Sequence, residues 1–359
     1  MANRLLVATR KGLFDLQRDT SGEWGIVNRS FLGDPVSMML RDAHDRTLYA
    51  ALALGHFGVK LHRSDDEGRS WQEISTPSYE GVPADGEDKE APSLKMIWSL
   101  EAGAPGVLWA GTIPGGLFCS ADRGDSWQLV DSLWNDPSRQ QWFGGGYDEP
   151  GIHSICVDPR DPKHMTIAVS CGGVWRSEDQ GQSWGLMGNG MRAEYMPPEQ
   201  SENPATQDPH RLVQCRAEPD HFWVQHHNGI FYSKDSCRSW QEIAATPSSF
   251  GFAVAVHPQN PAVAWFVPGI KDEKRYPVDG KLIVTQTSDG GKTFVALDTG
   301  LPQVESYDLV YRHAFDIDAD GDSLAMASTT GNLWLSEDGG CSWRAISNYL
   351  PPVYAVRFV

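Results

Sequence analysis

One eight-residue pattern recurs six times along this 359-residue chain and constrains its fold more than any other feature. The pattern reads S-x-D-x-G-x-S-W. Two copies vary, because Cys237 replaces the glycine in one and Phe294 replaces the tryptophan in another. Repetition at intervals of about 50 to 60 residues is typical of folds that are built from similar stacked units. The six copies begin at Ser64, Ser120, Ser177, Ser233, Thr287 and Ser336.

Each copy lies between two short apolar runs, which predicts a β-hairpin with a polar turn. In the third copy a run beginning at Gly173 precedes the pattern, and Trp184 opens the next run. The serine hydroxyl and the aspartate carboxylate can bond backbone groups inside the turn, while the glycine can take positive φ. Six copies of one turn cannot all form one active site. The six aspartates are therefore predicted to be structural: Asp66, Asp122, Asp179, Asp235, Asp289 and Asp338.

The pattern resembles the Asp-box (BNR) repeat of sialidase-like β-propellers, and the resemblance covers nearly the whole chain. Such propellers include sialidases, xyloglucanase-type glycosidases, a photosystem assembly factor and sortilin-type receptors. The resemblance therefore implies a fold and a broad sialidase-like, glycosyl hydrolase-like superfamily, without implying one activity.

Seven glycine-led third strands divide the chain into units of propeller-blade size. The first unit lacks an upstream strand, and the run 353–359 has no unit of its own. We therefore predict an all-β, seven-bladed β-propeller with four-stranded antiparallel blades. The C-terminal strand is predicted to close the ring by pairing into blade 1, which is formed by 1–34 plus 353–359, and the whole chain, 1–359, to be one domain. The glycines are Gly12, Gly58, Gly116, Gly173, Gly229, Gly280 and Gly331.

The connections of such blades fall on two faces of the ring. The repeated turns join third to fourth strands and share one face, here called the turn face. Second-to-third turns and the links between blades share the other, here called the loop face. Long ordered loops on a rigid scaffold commonly carry function. Every long insertion is predicted on the loop face: 76–95, 131–150, 188–212 and 268–280.

Polar side chains from strand ends and loops are predicted to surround a pocket on the loop face. This rim is rich in Arg and His although the net charge is −17, which predicts a small anionic or carbohydrate ligand. The alternative is that these arginines pair with loop acids. Predicted substrate-binding residues are Arg10, His56, Trp142, Arg216 and Arg312. Predicted catalytic residues are His153, His227, His313, Glu149 and Tyr147.

Four of these histidines come from four different blades and offer an alternative role as metal ligands. No local ligand spacing supports a metal, so the sequence requires no cofactor, and a divalent metal stays an alternative to hydrogen bonding with substrate or carbonyl groups. The four candidate ligands are His56, His153, His227 and His313.

Resemblance to sialidases in particular implies three arginines on a substrate carboxylate, an aspartate acid/base and a tyrosine activated by a glutamate. Arg10, Arg216 and Arg312 correspond to the three arginines by position only, and either Tyr147 with Glu149 or Tyr195 with Glu194 would supply the pair. The Arg-Ile-Pro element of the N-terminal region of sialidases is absent, which argues against a true sialidase.

Two functions follow from this reading. The first is a hydrolase or lyase acting on a small anionic, sugar-derived substrate in an axial pocket of the loop face. The alternative is a non-catalytic propeller that binds a protein or ligand on the same face. A deep polar pocket would favour the enzyme, and a flat apolar face would favour the binder.

Composition limits the partners and the compartment. The net charge of −17 argues against nucleic acid and anionic membranes. No apolar run reaches the roughly 18 residues of a membrane span, and the first residues read as a strand and not as a signal peptide. Six scattered cysteines without a C-x-x-C spacing predict reduced thiols of a cytoplasmic protein. The sequence gives no oligomeric state.

Overall fold

The structure, a computed structural model, describes residues 2–83 and 90–359 and consists almost entirely of β-strands. The described strands form seven antiparallel sheets of four strands each, arranged as the blades of a propeller. The predicted fold class is therefore confirmed. The short helices within these described ranges are α1 (Asp131–Trp134) and five 3-10 turns at Gly55–Phe57, Pro137–Gln141, Pro198–Gln200, Pro204–Thr206 and Val278–Gly280.

Within each blade the strands run in order from the ring axis outwards. Blade 1 contains β1 (Arg4–Thr9), β2 (Gly12–Arg18) and β3 (Trp24–Ser30); blade 2 contains β4 (Val36–Arg41), β5 (Leu48–Ala53), β6 (Val59–Ser64) and β7 (Gln72–Ile74). Blade 3 contains β8 (Met96–Ala102), β9 (Leu108–Ile113), β10 (Leu117–Ser120) and β11 (Gln128–Leu129); blade 4 contains β12 (Ile152–Val157), β13 (Met165–Val169), β14 (Gly173–Ser177) and β15 (Gly185–Leu186). Blade 5 contains β16 (Pro209–Gln214), β17 (Phe222–His226), β18 (Ile230–Ser233) and β19 (Gln241–Ile243); blade 6 contains β20 (Gly251–Val256), β21 (Ala264–Pro268), β22 (Val284–Thr287) and β23 (Val295–Leu297). Blade 7 contains β24 (Phe315–Ile317), β25 (Leu324–Ala327), β26 (Leu333–Ser336) and β27 (Arg344–Ser347), and the chain ends with β28 (Val353–Phe358).

The C-terminal strand β28 closes the ring as the innermost strand of blade 1. It pairs antiparallel with β1, with Val7 opposite Val356. The Arg10 amide donates to the Pro352 carbonyl at 2.9 Å, just beyond the paired residues. Val353 and Val356 are buried in the same core cluster as Val7. The first and last strands of the chain thus share one sheet, which removes an exposed sheet edge.

The repeated turns are held together by their own serine and aspartate side chains. In the third copy Ser177 Oγ donates to Asp179 Oδ1 at 2.8 Å and accepts from the Gly181 amide at 2.8 Å. The Ser183 amide donates to the same carboxylate at 2.9 Å. Hydrogen bonds to Asp179, of which the one from the Ser183 hydroxyl has the largest effect, lower the pKa of this carboxyl to about 2. The carboxylate therefore stabilises the turn, as the sequence predicts.

Large aromatic side chains fill the space between blades. Trp109, Trp175, Trp223 and Trp265 lie on the middle strands of four blades and are at most 2 % exposed. The tryptophans that end the repeated turns add links between blades: the Trp240 indole N–H, for example, donates to the Met187 carbonyl at 3.0 Å. No helix among the described residues is long and apolar enough to cross a membrane.

Candidate functional site

A cavity of about 660 Å³ opens among the inner strands and the loops of the loop face. Inner strands contribute to its wall from several blades, through Ser37, Trp98, His210, Phe252 and Tyr354. Loops that follow second strands and links between blades complete the wall. These further lining residues include Arg10, Phe143, Gly145, Gly146, Tyr147, Cys171, Tyr195, Asp208, His227, Asp272, Arg275, Tyr311, Arg312 and His313.

Arg312 is a buried cation on the wall of this cavity. It lies just before β24, in the link between blades 6 and 7, and only 7 % of it is exposed. Its guanidinium carbon lies 4.6 Å from the centre of the Trp98 ring and 5.7 Å from that of Phe252. Burial lowers the pKa of Arg312, although the charge of Asp208 opposes this shift.

Arg312 has no ion-pair partner among the described residues, and its buried Nε atom makes no hydrogen bond there. A buried charge without a counter-ion is costly, and buried cations are normally paired. Arg275, whose guanidinium carbon lies 5.3 Å from the centre of the Phe252 ring, differs, because it pairs with Asp272. Arg10 is exposed on the cavity wall. The arrangement supplies a cationic wall that an anion can neutralise.

Asp208 forms the acidic part of the cavity wall. It precedes β16 and is 4 % exposed. Its Oδ1 accepts from Ser170 Oγ at 3.2 Å and from the Cys171 amide at 3.0 Å. Its Oδ2 lies 3.4 Å from His210 Nε2 and 3.4 Å from His227 Nδ1. One carboxylate oxygen is thus fixed by the scaffold, while the other faces two imidazole rings.

The two imidazoles differ in exposure and charge. His210 is 2 % exposed and stacks on Phe252 at 4.4 Å, and burial lowers its pKa despite the charge of Asp208. His227 is more exposed and packs edge-on against Tyr195 at 4.9 Å. Burial opposes protonation of His227, but the contact with Asp208 outweighs it and raises the pKa. Burial also opposes ionisation of Asp208, yet His210 and its other partners hold the pKa of that carboxyl well below its usual range.

A glycine-rich loop separates the cationic and acidic parts of the wall. A Cβ atom on Gly145 would lie 2.7 Å from Cys171 Sγ and 3.1 Å from Ser170 Oγ, so a side chain there would displace the support of Asp208. A Cβ on Gly146 would lie 3.8 Å from Arg312 Nη2. Glycine is therefore required at position 145, whereas a Cβ at position 146 would make an ordinary contact with Arg312.

Five of the sequence-predicted site residues line the cavity. Tyr147 packs edge-on against Trp98 at 5.1 Å, and burial raises its pKa. His313 Nε2 lies 2.6 Å from the His153 carbonyl, and burial holds the pKa of His313 well below its usual range. The structure brings together Arg10, Tyr147, His227, Arg312 and His313.

Four others lie outside the cavity wall, for separate reasons. His153 is fully buried, with Nε2 2.7 Å from the Pro209 carbonyl and Nδ1 2.9 Å from Ser154 Oγ. Trp142 is a core residue that packs edge-on against Trp175. Glu149 pairs with Lys95. His56 lies exposed in the turn Gly55–Phe57 with its ring against Phe57.

The predicted position of Arg216 was wrong. The sequence reading began the first strand of blade 5 near Arg216, whereas β16 spans Pro209–Gln214. Arg216 therefore follows this strand and lies exposed on the turn face. The three predicted arginines do not form a triad. Nor do His56, His153, His227 and His313 form a metal site, since the ring nitrogens of His153 are already bonded within the protein.

The same error hid two residues at the centre of the site. Asp208 and His210 fell within the predicted loop 188–212, although His210 belongs to β16. The local signal that could have identified them is the spacing Asp208-Pro209-His210, with a second pair, His226-His227, at the end of the next strand. The ends of adjacent antiparallel strands meet at one edge, which places both pairs side by side.

No family model matches the chain. A Paenibacillus protein named xyloglucanase is 23 % identical over 292 residues, which cover 73 % of this chain and 24 % of that protein. The chain thus spans about a quarter of the length of this curated relative.

Two solved structures show the same fold at low identity. A GH74 enzyme of Niastella koreensis superimposes with a TM-score of 0.62 and 15 % identity over 96 % of this chain and 54 % of that one. A structure of YCF48 bound to a D1 peptide superimposes with a TM-score of 0.54 and 15 % identity over 87 % of this chain and 81 % of that one. These similarities establish the propeller fold and leave the activity to be argued from the site.

Proposed function

We propose that this chain is a hydrolase or lyase that acts on a small anionic, sugar-derived substrate in the cavity of the loop face. The observation that carries the proposal is Arg312, a buried cation on the cavity wall without an ion pair among the described residues. Sites that bind a specific anion commonly hold such a guanidinium ready, because it offers planar, charge-assisted hydrogen bonds to a carboxylate, sulfate or phosphate.

The cavity wall also supplies groups that can take part in a reaction. His227 is accessible from the cavity and contacts Asp208, which fixes the orientation of its ring. Tyr147 also lines the cavity, and Arg10 and Arg275 add positive charge. An anion held by Arg312 would share one cavity with these groups, as expected of an enzyme cavity with convergent polar residues.

The volume and lining of the cavity agree with a sugar-sized ligand. About 660 Å³ lies in the range of small-molecule sites. Trp98, Phe252 and Tyr195 line the cavity, and the ring of Tyr195, which is 37 % exposed, suits contact with the apolar face of a sugar. The names of the Paenibacillus xyloglucanase and of the Niastella GH74 enzyme support a carbohydrate substrate for this chain as well. The repeated turns support membership of the Asp-box propellers.

The test is a thermal-shift panel of sugar acids, sugar phosphates and sugar sulfates, followed by mass spectrometry of incubations with any ligand found. Arg312→Met should weaken binding of that ligand roughly 100-fold, as expected for loss of a buried charge-assisted contact. Arg216→Met, on the turn face, is the matched control and should bind like the wild type. Equal binding by wild type and Arg312→Met would overturn the anion site.

A second candidate, non-catalytic binding on the same face, rests on a run of exposed apolar side chains. Tyr349 is 95 % exposed and Phe57 71 % exposed, and both lie in loops of the loop face. Tyr307 lies in the link before blade 7 and Leu32 in the link between blades 1 and 2, so the exposed residues follow consecutive blades. Such patches mark interaction surfaces. The YCF48 structure with a bound peptide shows a propeller of this fold in that role.

The two candidates separate in one experiment. Tyr349→Ser and Phe57→Ser should leave turnover of a cavity substrate unchanged, whereas they should abolish capture of a protein partner. Turnover that is lost in His227→Gln but kept in Tyr349→Ser would support the enzyme. Ligand binding without any product in the wild type would favour the binder.

A further inference from the structure

We infer that Asp208, His210 and His227 form a binding site for one divalent transition-metal ion, with zinc as its best-matched occupant. Each residue offers one ligand atom, namely Asp208 Oδ2, His210 Nε2 and His227 Nδ1, and these atoms lie within 4.8 Å of one another. The set replaces the four-histidine alternative drawn from the sequence and shares only His227 with it. The inference does not depend on the proposed substrate or reaction.

The spacing of the ligand atoms fits a tetrahedral ion. Zinc binds nitrogen and oxygen ligands at about 2.0–2.2 Å, so two ligands of a tetrahedral site lie about 3.4 Å apart. Asp208 Oδ2 lies 3.4 Å from His210 Nε2 and 3.4 Å from His227 Nδ1. These separations are longer than ordinary hydrogen bonds, and they match two edges of such a tetrahedron.

The hydrogen bonds behind the ligands prepare them for a cation. His210 Nδ1 lies 2.7 Å from the Gly251 carbonyl, which can only accept, so Nδ1 carries the proton. In the neutral ring, Nε2 then presents a lone pair towards the carboxylate oxygen of Asp208, and two acceptors face each other. A metal ion between them removes this conflict. Metal-binding histidines usually donate their other N–H to a carbonyl or carboxylate in this way.

Hydrogen bonds also orient Asp208 for binding a cation. Ser170 Oγ and the Cys171 amide hold Oδ1, which leaves Oδ2 as the free ligand. The Asp208 amide donates to His226 Nε2 at 3.1 Å and the His227 amide donates to the Asp208 carbonyl at 3.0 Å, so the backbone also ties the two strand ends together. The site is therefore built on rigid elements and not on a mobile loop.

Three protein ligands leave a fourth position for water or a substrate atom, which distinguishes catalytic from structural zinc sites. All three residues line the cavity, so this position can be reached from it. Two imidazoles and one carboxylate also suit iron(II) or manganese(II), and the donor set contains no thiolate. Affinity for copper or zinc should exceed that for manganese.

The test measures zinc binding by elemental analysis and isothermal titration after chelator treatment of the full chain. The wild type should bind one equivalent, and cobalt(II) in its place should give visible d–d absorption. Asp208→Asn and His227→Gln should each weaken zinc binding roughly 100-fold or more, since each loses a direct ligand. His56→Gln removes an exposed histidine outside the site and should bind like the wild type.

Two further results separate this site from the anion site. Arg312→Met should retain the full equivalent of zinc, because it contributes no ligand atom, even where it loses the anionic ligand. Circular dichroism and a cooperative melt show whether each variant is folded, and the isosteric Asp208→Asn keeps an acceptor for Ser170 and Cys171. Absence of zinc binding at micromolar metal, or equal binding by wild type, Asp208→Asn and His227→Gln, would overturn the inference.

Discussion

The turn face and the loop face of this propeller treat charged side chains in opposite ways. On the turn face the aspartates of the repeated turns are satisfied within their own turns. Arginines there form ion pairs that join one blade to the next, such as Arg63 with Asp125 at 2.8 Å and Arg160 with Asp220 at 2.8 Å. On the loop face Arg312 is buried without an ion pair among the described residues, and Asp208 faces two imidazoles.

This difference indicates that the turn face serves stability and that the loop face serves ligand binding. The turn face repeats a stabilising unit, and in all six copies the first hydroxyl of the turn donates to the aspartate of the same turn. The loop face breaks the repeat and keeps buried polar groups that a ligand can complete. Unsatisfied or strained groups that persist in a stable fold commonly mark function. In a repeat protein, the departures from the repeat are therefore more informative about activity than the repeat itself.

The largest effect is expected from removing the strand on which both faces depend. Deletion of 353–359 takes the innermost strand from blade 1 and exposes the paired edge of β1. Buried Val353 and Val356 leave the core with it. We expect loss of the cooperative melt and aggregation, as measured by calorimetry and light scattering. Tyr354→Ala, which changes only a cavity-lining side chain, is the control and should fold; a truncated chain that melts like the full one would contradict ring closure and the predicted single domain.

The next effect contrasts binding with stability at one residue. Arg312→Met should lose anion binding roughly 100-fold while the free energy of unfolding stays within about 1 kcal/mol of the wild type or rises. The reason is that the variant no longer buries an unpaired charge, which offsets the loss of the contact with Trp98. Chemical denaturation measures this. A loss of several kcal/mol would instead identify Arg312 as a structural cation and would weaken the contrast between the faces.

Much of the fold could be predicted because the residues of the repeated turn specify its geometry. Ser, Asp and Gly at fixed spacing define a hairpin, and six copies define the ring, so the confirmed features include the closing strand β28. The ends of two second strands were also placed close to where the structure has them, since Arg10 directly follows β1 and His227 directly follows β17.

The centre of the site could not be predicted from the same reasoning. Strand β16 contains Pro209, His210 and Arg211, which do not alternate as a buried strand should, and the inner-strand start was placed too late. His210 is buried because it stacks on Phe252 and bonds Gly251, both in the next blade. Contacts between blades leave no trace in local periodicity, so Asp208 and His210 were missed while Arg216 was assigned to the wrong face.

A smaller effect is expected from a matched pair of serines, one on each face. Ser177→Ala leaves the buried Gly181 amide without its acceptor and should lower the free energy of unfolding by about 1–2 kcal/mol. It should leave zinc and anion affinities unchanged. Ser170→Ala removes one of two donors to Asp208 Oδ1 and should weaken zinc binding about 10-fold with little loss of stability. Chemical denaturation measures the stability of both variants, and titration measures their zinc affinity. A single variant that is the weaker one in both assays would contradict this prediction.

The smallest effect concerns the acid limit of the turn face. Bonds within the turns, led by the serine hydroxyls, lower the pKa values of Asp66, Asp122 and Asp179 to about 2, from an ordinary value of 3.8. A lowered carboxylate pKa stabilises the folded state fully above the ordinary pKa, and this contribution is lost as the pH falls through 3.8 towards 2. Replacing Ser70, Ser126 and Ser183 by alanine should therefore make Tm fall less steeply over that window, with a difference of a few degrees at most. Because both proteins share every other carboxylate, the comparison isolates the turns, and parallel Tm curves would show that the turn carboxylates are not the groups that set acid stability.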